Sequence, residues 1–410
     1  MHIYLVGGAV RDQLLGLPDH DKDWVVVGAT PQKMLDQGYQ AVGKDFPVFL
    51  HPETKEEYAL ARKERKTGQG YGGFSFNTDP EVTLEEDLLR RDLTINAMAR
   101  GDDGVLVDPF GGQSDLAERK LKHVSNAFSE DPLRVLRVAR FYARFHHLGF
   151  EIEQSTFALM QQISESGELL ALAPDRLWVE MSKGLSEPAP SAFIDCLCRC
   201  KAMASLMPEF ESQFKHIDPL ANAEQKVGKR VLSALNHSVH SQLTVEERWG
   251  IICHALDAQS LGDSSGPRNL LLNPPASFQT PMTLDVCERF RATKRATRIA
   301  VAVNGLLPSV LNAKRLKPDY ILHLLEHVDA FRESSVLEPV VRIAQSINAT
   351  DPESPSSQLA SITLLLEAQR RCADLSARQY VDAGLKGEDI ASAMRGARKM
   401  IIKDLMAENK

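Results

Sequence analysis

The sequence predicts an α/β (α+β) N-terminal domain followed by an all-α remainder. Strand-like and helix-like patterns alternate over residues 1–125, and this alternation is typical of a sheet covered by helices. From about residue 130 the strand pattern disappears, and helical spacing continues toward the C-terminus. A chain of 410 residues is also long for a single hydrophobic core, so we expect two to four domains.

The individual elements follow from the spacing of apolar residues and the positions of glycine and proline. Strands are predicted at residues 2–6, 24–27, 47–50, 57–61 and 105–108, and helices at residues 9–15, 31–37 and 84–98. The glycine-rich residues 68–73 are predicted to form a mobile loop. Further helices are predicted at residues 131–145, 153–165, 174–185, 192–203, 231–236, 244–256, 318–332, 337–346, 355–371 and 377–383.

Composition narrows the class of protein. The formal net charge is -7, so overall charge does not indicate a nucleic-acid partner, and any basic contact surface must be local. The six cysteines include a C-x-C-x-C run without the C-x₂-C spacing of zinc sites, and we interpret them as reduced thiols. Because no long apolar run occurs, we expect a cytoplasmic protein with no membrane partner. The sequence leaves the oligomeric state open.

The first motif is the pair Gly7-Gly8, which follows a predicted strand and precedes a predicted helix. Glycines let the backbone approach a ligand closely, and the N–H groups at a helix start can bind phosphate oxygens. Arg11 adds a cation that can contact the same phosphates. The alternative is a turn with a purely structural role.

The second motif is Asp21 and Asp23, which lead into the apolar strand at residues 24–27. Residues two apart in a strand face the same side, so both carboxylates are expected to point at one spot. A cation relieves their repulsion, and Mg²⁺ prefers a few carboxylates together with substrate phosphates. The pattern therefore favours metal-assisted phosphoryl or nucleotidyl transfer, and the alternative is a solvated turn. Glu57 and Glu64 are candidates for a third carboxylate ligand.

In this order the motifs resemble the nucleotidyltransferase fold of the polymerase-β superfamily, and specifically the class II tRNA nucleotidyltransferases, the bacterial CCA-adding enzymes. Arg90-Arg91-Asp92 is similar to the family's ribose-reading segment, and Glu130-Asp131-Pro132-Leu133-Arg134 to its base-reading segment. The resemblance extends over nearly the whole chain and is most specific over residues 1–145.

The resemblance implies template-independent addition and repair of the 3′-terminal CCA of tRNA, with CTP and ATP as substrates and Mg²⁺ as cofactor. It implies that Asp21 and Asp23 are the catalytic metal ligands. Nucleotide binding would fall to Gly8, Arg11, Arg91, Asp92, Asp131, Arg134, Arg137 and Arg140. It further implies a role for the loop at residues 68–73 in switching from CTP to ATP. Asp175, Arg176 and Glu180 match a neck segment whose role is structural.

Four domains are expected on this basis. They are a catalytic domain at residues 1–128, a helical neck at 129–215, a helical body at 216–335 and a helical tail at 336–410. In the tail, Arg395, Arg398, Lys399 and Lys403 have helical spacing and are predicted to contact tRNA phosphates. The alternative for these four residues is a solvated terminal helix.

The residue types support base reading independently of the resemblance. Asp131 can accept from an exocyclic amine while Arg134 donates to the adjacent ring nitrogen, an order that fits cytosine and adenine. Guanine and uracil leave groups unpaired, at about 1–3 kcal/mol each. The alternative is that Asp131 caps the helix that begins near Pro132. Arg134, Arg137, Arg140 and Arg144 form a stripe on that helix, although such a stripe is often only a solvated face.

The sequence departs from part of the family at one place. Some relatives carry an HD phosphohydrolase domain, which needs an adjacent His-Asp pair at a metal. Here the matching residues are Cys253-His254-Ala255-Leu256, so we predict that hydrolase activity is absent. The alternatives to CCA addition are a poly(A) polymerase or A-adding enzyme of the same family and a non-catalytic RNA-binding protein. Retention of both Asp21 and Asp23 argues against the second.

Overall fold

The computed structural model describes residues 1–18, 22–42, 48–66, 74–210, 223–254, 256–257, 280–332, 335–350 and 356–408. These residues form two compact units, Met1–Pro208 and Glu209–Lys410. The first unit contains a mixed sheet and several helices, and the second is helical in its described part. The predicted α/β domain with a helical remainder is confirmed.

A seven-stranded sheet organises the first half of the first unit. Its strands are β1 (His2–Val6), β2 (Asp23–Val27), β3 (Gln40–Val42), β4 (Val48–Leu50), β5 (Glu57–Leu60), β8 (Ala99–Gly101) and β9 (Leu106–Val107), in the order β3-β4-β5-β2-β1-β8-β9. Strands β2 and β5 are parallel, and the other neighbours are antiparallel. Strands β6 (Lys63–Lys66) and β7 (Phe74–Asn77) form a separate antiparallel pair, and β10 (Lys120–Leu121) and β11 (Glu151–Ile152) a short parallel pair.

Apolar residues cover both faces of the sheet. Along β2, Val25 joins one buried cluster and Val26 the other, because successive side chains of a strand point to opposite faces. Four helices accompany the strands: α1 (Gly8–Leu14), α2 (Pro31–Asp36), α3 (Leu84–Leu89) and α4 (Gly112–Ala117). This burial explains why β2 reads as a continuous apolar run in the sequence.

The predicted helix over residues 84–98 is wrong after Leu89, where α3 ends. The chain turns at Asp92, whose carboxylate accepts hydrogen bonds from the N–H of Leu93 (2.8 Å) and from Asn96 Nδ2 (2.9 Å). A short 3₁₀ turn over Thr94–Asn96 then leads into β8. The apolar residues after Asp92 have helical spacing in the sequence, but tertiary burial and this turn override that preference.

Helices complete the first unit. They are α5 (Leu133–Phe145), α6 (Gln154–Glu165), α7 (Pro174–Ser186), α8 (Pro190–Arg199) and α9 (Ala202–Leu206). Helix α5 packs against α7 and α8, and ten of its thirteen residues are buried. Because α5 carries Arg134 of the predicted base-reading pair, this packing fixes the helix from which Arg134 projects.

The second unit is built from nine described helices. They are α10 (Ala223–His240), α11 (Val245–Cys253), α12 (Pro281–Arg289), α13 (Lys294–Leu311), α14 (Pro318–His327), α15 (Leu337–Ala349), α16 (Ser356–Ala373), α17 (Arg378–Asp382) and α18 (Glu388–Glu408). Helices α11, α13 and α15 pack on one another, and α18 packs on α14 and α16. In the described part of the chain, no helix is long and apolar enough to cross a membrane.

Candidate active site

The turn between β1 and α1 has a backbone that only glycine adopts readily. Gly7 has φ 68° and ψ −126° at the N-cap of α1, and its N–H donates to the carbonyl of Met98 at 3.2 Å. A Cβ atom on Gly7 would lie 2.8 Å from Nη1 of Arg91. Gly7 therefore has two roles. It allows the backbone conformation of the turn, and it leaves room for Arg91 of the predicted ribose segment.

Arg11 on α1 is almost completely buried, with 3% of its surface exposed. Its Nε donates to Asp12 Oδ1 at 2.8 Å, and its Nη1 donates to Asn96 Oδ1 at 2.5 Å. Its guanidinium lies 5.0 Å from the ring centre of Phe145. Burial lowers the pKa of Arg11, and the ion pair with Asp12 opposes that shift. These contacts fix the guanidinium in one position at the wall of a cavity.

Asp23 is the first residue of β2 and is exposed at the same cavity. It stands opposite Val6 of β1 and beside Glu57 of the parallel strand β5. Glu57 therefore lies on the same face of the sheet as Asp23. Asp21 lies outside the described residues, and so do residues 68–73. Among the described residues no group of three or more His, Cys, Asp or Glu side chains could hold a metal ion.

The predicted ribose segment supplies Arg90, Arg91 and Asp92, which all line the cavity. Asp92 is 5% exposed and accepts hydrogen bonds from Arg137 at 2.8 Å and from Asn96 at 2.9 Å. Burial alone would raise the pKa of Asp92, but Arg137 and these hydrogen bonds outweigh it and hold the pKa far below its usual range. Asp92 is thus a fixed anion that joins the ribose segment to α5.

The predicted base-reading pair lies at the start of α5 on the cavity wall. Asp131 accepts from the N–H of Leu133 at 3.1 Å and from Arg176 Nη2 at 2.8 Å. Arg134 donates to the carbonyl of Ala127 at 2.7 Å and to that of Arg90 at 2.5 Å. The capping alternative for Asp131 is therefore present in the structure, together with an ion pair to the neck segment.

The other arginines of the α5 stripe are held by carboxylates behind them. Glu180 of α7 is 4% exposed and accepts from Arg140 Nε at 2.8 Å, and it lies 3.7 Å from Arg137. Glu187 lies 3.6 Å from Arg140, and burial raises the pKa of this glutamate. The stripe faces into the protein and is not the solvated surface that the sequence left open.

Together these residues line a cavity of about 520 Å³. Among the residues that the structure describes, nine arginines reach it, namely Arg11, Arg62, Arg90, Arg91, Arg134, Arg137, Arg140, Arg144 and Arg176. Three described aspartates, Asp23, Asp92 and Asp131, line the same space. Such an excess of guanidinium groups suits a polyanion such as a triphosphate. Among the predicted nucleotide-binding residues, the cavity brings together Gly8, Arg11, Arg91, Asp92, Asp131, Arg134, Arg137 and Arg140.

Sequence reasoning missed the carboxylates that hold these arginines. Asp12 and Asp87 are buried and each contacts two arginines, yet neither was selected as a site residue. Arg62 was also missed, because it stands at the edge of a predicted strand with no motif around it. For Asp87 a signal was available, since it precedes Arg90 and Arg91 by three and four residues.

The basic tail residues of α18 are engaged within the second unit. Arg395 donates to Glu326 at 2.9 Å, and Lys399 lies 2.7 Å from Asp319. Arg398 lies over the ring of Phe331 at 3.9 Å. Lys403 is exposed, without an ion pair to any residue that the structure describes. Two of the four residues predicted to bind tRNA, Arg395 and Lys399, thus form ion pairs with acidic side chains of α14.

The region that the sequence compares with an HD domain is a packed helical corner. His254 is half-buried and its Nδ1 lies 2.7 Å from the carbonyl of Ile251, and burial lowers the pKa of this histidine. Asp257 is fully buried and accepts from the N–H groups of Met282 (3.0 Å) and Thr283 (3.1 Å) at the start of α12. The nearest carboxylate in sequence therefore caps a helix. Ala255 itself lies outside the described residues.

Comparisons with known proteins show the family of the chain. The family model described as "Poly A polymerase head domain" matches residues 3–122. A second model, described as "Probable RNA and SrmB- binding site of polymerase A", matches residues 149–214. The chain is 45% identical to the Multifunctional CCA protein of Pseudomonas aeruginosa over 98% of each protein. It is 44% identical to that of Alkalilimnicola ehrlichii, over 97% of this chain and 96% of the relative.

Solved structures share the fold. A CCA-adding enzyme in complex with ATP gives a TM-score of 0.68 at 21% identity, covering 98% of this chain and 86% of the other. The Thermotoga maritima CCA-adding enzyme complexed with tRNA gives 0.62 at 19% identity, covering 100% and 92%. The fold and the arginine-lined cavity define a nucleotidyltransferase head joined to helices. The chain belongs to the family of the Multifunctional CCA proteins, and the resemblance predicted from the motifs is confirmed.

Proposed function

We propose that this protein adds and repairs the 3′-terminal CCA of tRNA, using CTP and ATP and no nucleic-acid template. The single observation that carries the proposal is the cavity in which nine arginines, Asp23 and the pair Asp131 and Arg134 meet. Template-independent nucleotidyl transfer requires groups that bind a triphosphate, a carboxylate that binds a metal ion and a pair of residues that reads the base. The full-length relatives carry the name of this activity.

Arginines hold the nucleotide in the proposed reaction. The 3′-hydroxyl oxygen of the tRNA attacks the α-phosphorus of the bound nucleotide, and the bond from that phosphorus to the pyrophosphate oxygen breaks. Arg11 and Arg91, fixed by buried partners, stabilise negative charge on the phosphates. Because their positions are set before the substrate arrives, little reorganisation is needed during the reaction.

Asp21 and Asp23 would hold Mg²⁺ beside the triphosphate. A carboxylate at the edge of a cavity lined by phosphate-binding arginines fits this hard cation, which takes oxygen ligands from protein and substrate together. When bound, the ion lowers the pKa of the attacking hydroxyl and neutralises charge on the phosphates. Glu57 stands beside Asp23 in the sheet and is our candidate for a third carboxylate.

Asp131 and Arg134 would select the base. For this role Asp131 accepts from the exocyclic amine, and Arg134 exchanges a backbone carbonyl for the ring nitrogen of the base. Both cytosine and adenine offer that order of groups, while uracil and guanine leave buried groups unpaired. Arg176 holds Asp131 from the side of the neck and can remain in place while a second lone pair binds the base.

The partner of the second unit is proposed to be tRNA. Arg398 and Lys403 of α18, with Arg395 and Lys399 after release from their acidic partners, would contact phosphates of the RNA backbone. We retain the proposed boundaries of catalytic domain (1–128), neck (129–215), body (216–335) and tail (336–410) as a working division.

The proposal is tested with a tRNA transcript that ends at the discriminator base. We expect Asp23→Ala and Asp21→Ala each to abolish CMP and AMP incorporation while leaving tRNA retention largely intact, because the carboxylates are needed for the chemistry and not for the grip on RNA. The control Asp103→Ala removes an exposed aspartate of the same unit and should leave turnover unchanged. Unchanged turnover in the Asp21 and Asp23 variants would refute the metal-ligand assignment.

A further inference from the structure

We infer that Asp87 is a positioning residue that sets the geometry of the nucleotide-binding arginines and, through Arg90, of the base-reading Arg134. This inference rests on the proposed function, because it concerns how the same cavity discriminates among nucleotides. Asp87 does not line the cavity, and it acts through residues that do.

The carboxylate of Asp87 is fully buried within α3 and binds two arginines of the cavity wall. Its Oδ1 accepts from Arg90 at both Nε (3.1 Å) and Nη2 (2.8 Å). Its Oδ2 accepts from Arg91 Nη2 at 3.4 Å. One buried anion therefore fixes the two adjacent guanidinium groups, which would otherwise repel each other.

A third residue that lines the cavity, Arg62, also contacts Oδ1 of Asp87. The backbone N–H of Arg62 donates to Asp87 Oδ1 at 3.2 Å. Arg62 immediately precedes β6, the first strand of the separate β6–β7 pair, and Lys63 at the start of that strand forms an ion pair with Glu86. Helix α3 is thus tied to the base of the β6–β7 pair by two neighbouring residues.

The network continues to the base-reading helix through the backbone of Arg90. The carbonyl oxygen of Arg90 accepts from Arg134 Nη2 at 2.5 Å, while the side chain of Arg90 is held by Asp87. Any displacement of Arg90 therefore changes the position of a group that Arg134 contacts. Asp87, Arg90 and Arg134 form a continuous series of hydrogen bonds from the buried carboxylate to the base-reading guanidinium.

Asp87 acts as an anion. Burial alone would raise the pKa of Asp87, but the charges of Arg90 and Arg91 outweigh it and hold the pKa below its usual value. Asparagine has nearly the same volume, yet it places an NH₂ donor where guanidinium N–H groups need an acceptor.

Asp87→Asn therefore disturbs the arginines without creating a cavity, and Asp115→Asn is a matched control. Asp115 is 8% exposed, belongs to the same unit, and accepts from Thr94 Oγ1 at 2.6 Å, away from the cavity wall.

The experiment compares these two variants with the unmodified protein. It measures thermal stability, the Kd of CTP, the kcat and KM for CMP addition, and the ratio of CMP to UMP incorporation. For Asp87→Asn we expect the KM and Kd for CTP to rise about tenfold and the CMP-to-UMP ratio to fall about tenfold, because misplaced binding groups weaken binding and discrimination together. Asp115→Asn changes a buried carboxylate that touches no arginine of the cavity wall, and it should change the ratio less than about twofold.

A second variant keeps the test decisive if Asp87→Asn does not fold. Arg90→Lys retains the charge but cannot make the two-pronged contact with Oδ1, so it should lower the CMP-to-UMP ratio in the same direction. Equal ratios in the Asp87, Arg90 and Asp115 variants and the unmodified protein would overturn the inference and leave Asp87 a structural residue. An unmodified protein that incorporates no CMP would instead overturn the proposed function, and the Kd of CTP would still decide the role of Asp87.

Discussion

Arg144 on α5 donates a hydrogen bond of 3.0 Å to Asp12 on α1, a residue 132 positions earlier in the chain. Asp12 is 1% exposed and also binds Arg11, so it joins the Gly-Gly turn of the sheet to the helix that carries the base-reading pair. One buried carboxylate therefore helps to fix the relative placement of the phosphate-binding and base-reading parts of the cavity.

Arg144→Met should weaken this connection. The variant removes one of the two arginines at Asp12 and is expected to lower the free energy of unfolding by about 1–3 kcal/mol, since a buried charged group loses a hydrogen bond. Urea unfolding measures the change. Arg199→Met is the control, because Arg199 is 60% exposed and lies 3.7 Å from Asp195, a kind of surface pair that contributes only about 0–1 kcal/mol. Equal losses in the two variants would contradict the role assigned to Asp12.

Gly7→Ala tests the turn at the phosphate-binding end. The new Cβ would lie 2.8 Å from Arg91 Nη1, so the arginine must move, and CMP incorporation is expected to fall about tenfold or more. Gly16→Ala is the control. Gly16 also has a positive φ, 66°, but a Cβ there has no heavy atom within 4 Å among the residues that the structure describes. Its activity should remain within about twofold, although both variants lose on the order of 1 kcal/mol to backbone strain.

Asp92 gives a prediction about pH. Its pKa in the folded protein lies below the value of about 3.9 in an unfolded chain, so its stabilising effect is fully present above that value and is lost as the pH falls toward the folded-state pKa. Asp92→Asn should reduce the free energy of unfolding by about 2 kcal/mol at pH 7, through the lost charged hydrogen bonds. The difference from the unmodified protein should be constant from pH 8 to pH 5 and shrink below pH 4. A difference that shrinks between pH 8 and pH 6 would assign the effect to another group.

Much of the fold could be predicted from local pattern, because the glycine turn and the apolar strand β2 each have a strong short-range signal. The end of α3 could not be predicted in this way. Residues after Arg91 have helical spacing, and only the buried contacts of Asp92 with Asn96 and Arg137 show why the chain turns. The contact with Arg137 joins residues 45 positions apart, so it depends on tertiary structure that periodicity does not contain.

Most arginines of the site could be predicted from motifs, whereas the burial of the carboxylates behind them could not. In the sequence, Asp12 and Asp87 look like ordinary charged residues of amphipathic helices, and Glu180 is predicted only as a structural residue of the neck. Their burial, 1%, 0% and 4% exposed, becomes visible only in the folded chain. For Asp131 the sequence leaves two roles open, capping and base reading, because both use the same side chain. The structure contains the capping contact.

The helical corner around His254 should be free of hydrolase activity. Asp257 is committed to the start of α12, and Ala255 cannot bind a metal, so we expect the full-length protein not to hydrolyse 2′,3′-cyclic AMP or a phosphomonoester with Mg²⁺, Mn²⁺ or Ni²⁺. The measurement is release of product, with His254→Ala as the matched variant. A metal-dependent activity that His254→Ala removes would show that this region retains a second site.

We propose that this cavity selects cytosine and adenine for the 3′ end of tRNA without a nucleic-acid template. This proposal is tested most directly by incubating the full chain with Mg²⁺, all four nucleoside triphosphates and a tRNA transcript ending at the discriminator base, and by sequencing the 3′ ends of the products. We expect transcripts ending in C, then CC, then CCA, with UMP and GMP rare. Products extended only by A would contradict the proposal in favour of an A-adding enzyme, and unextended transcripts in favour of a non-catalytic RNA-binding protein.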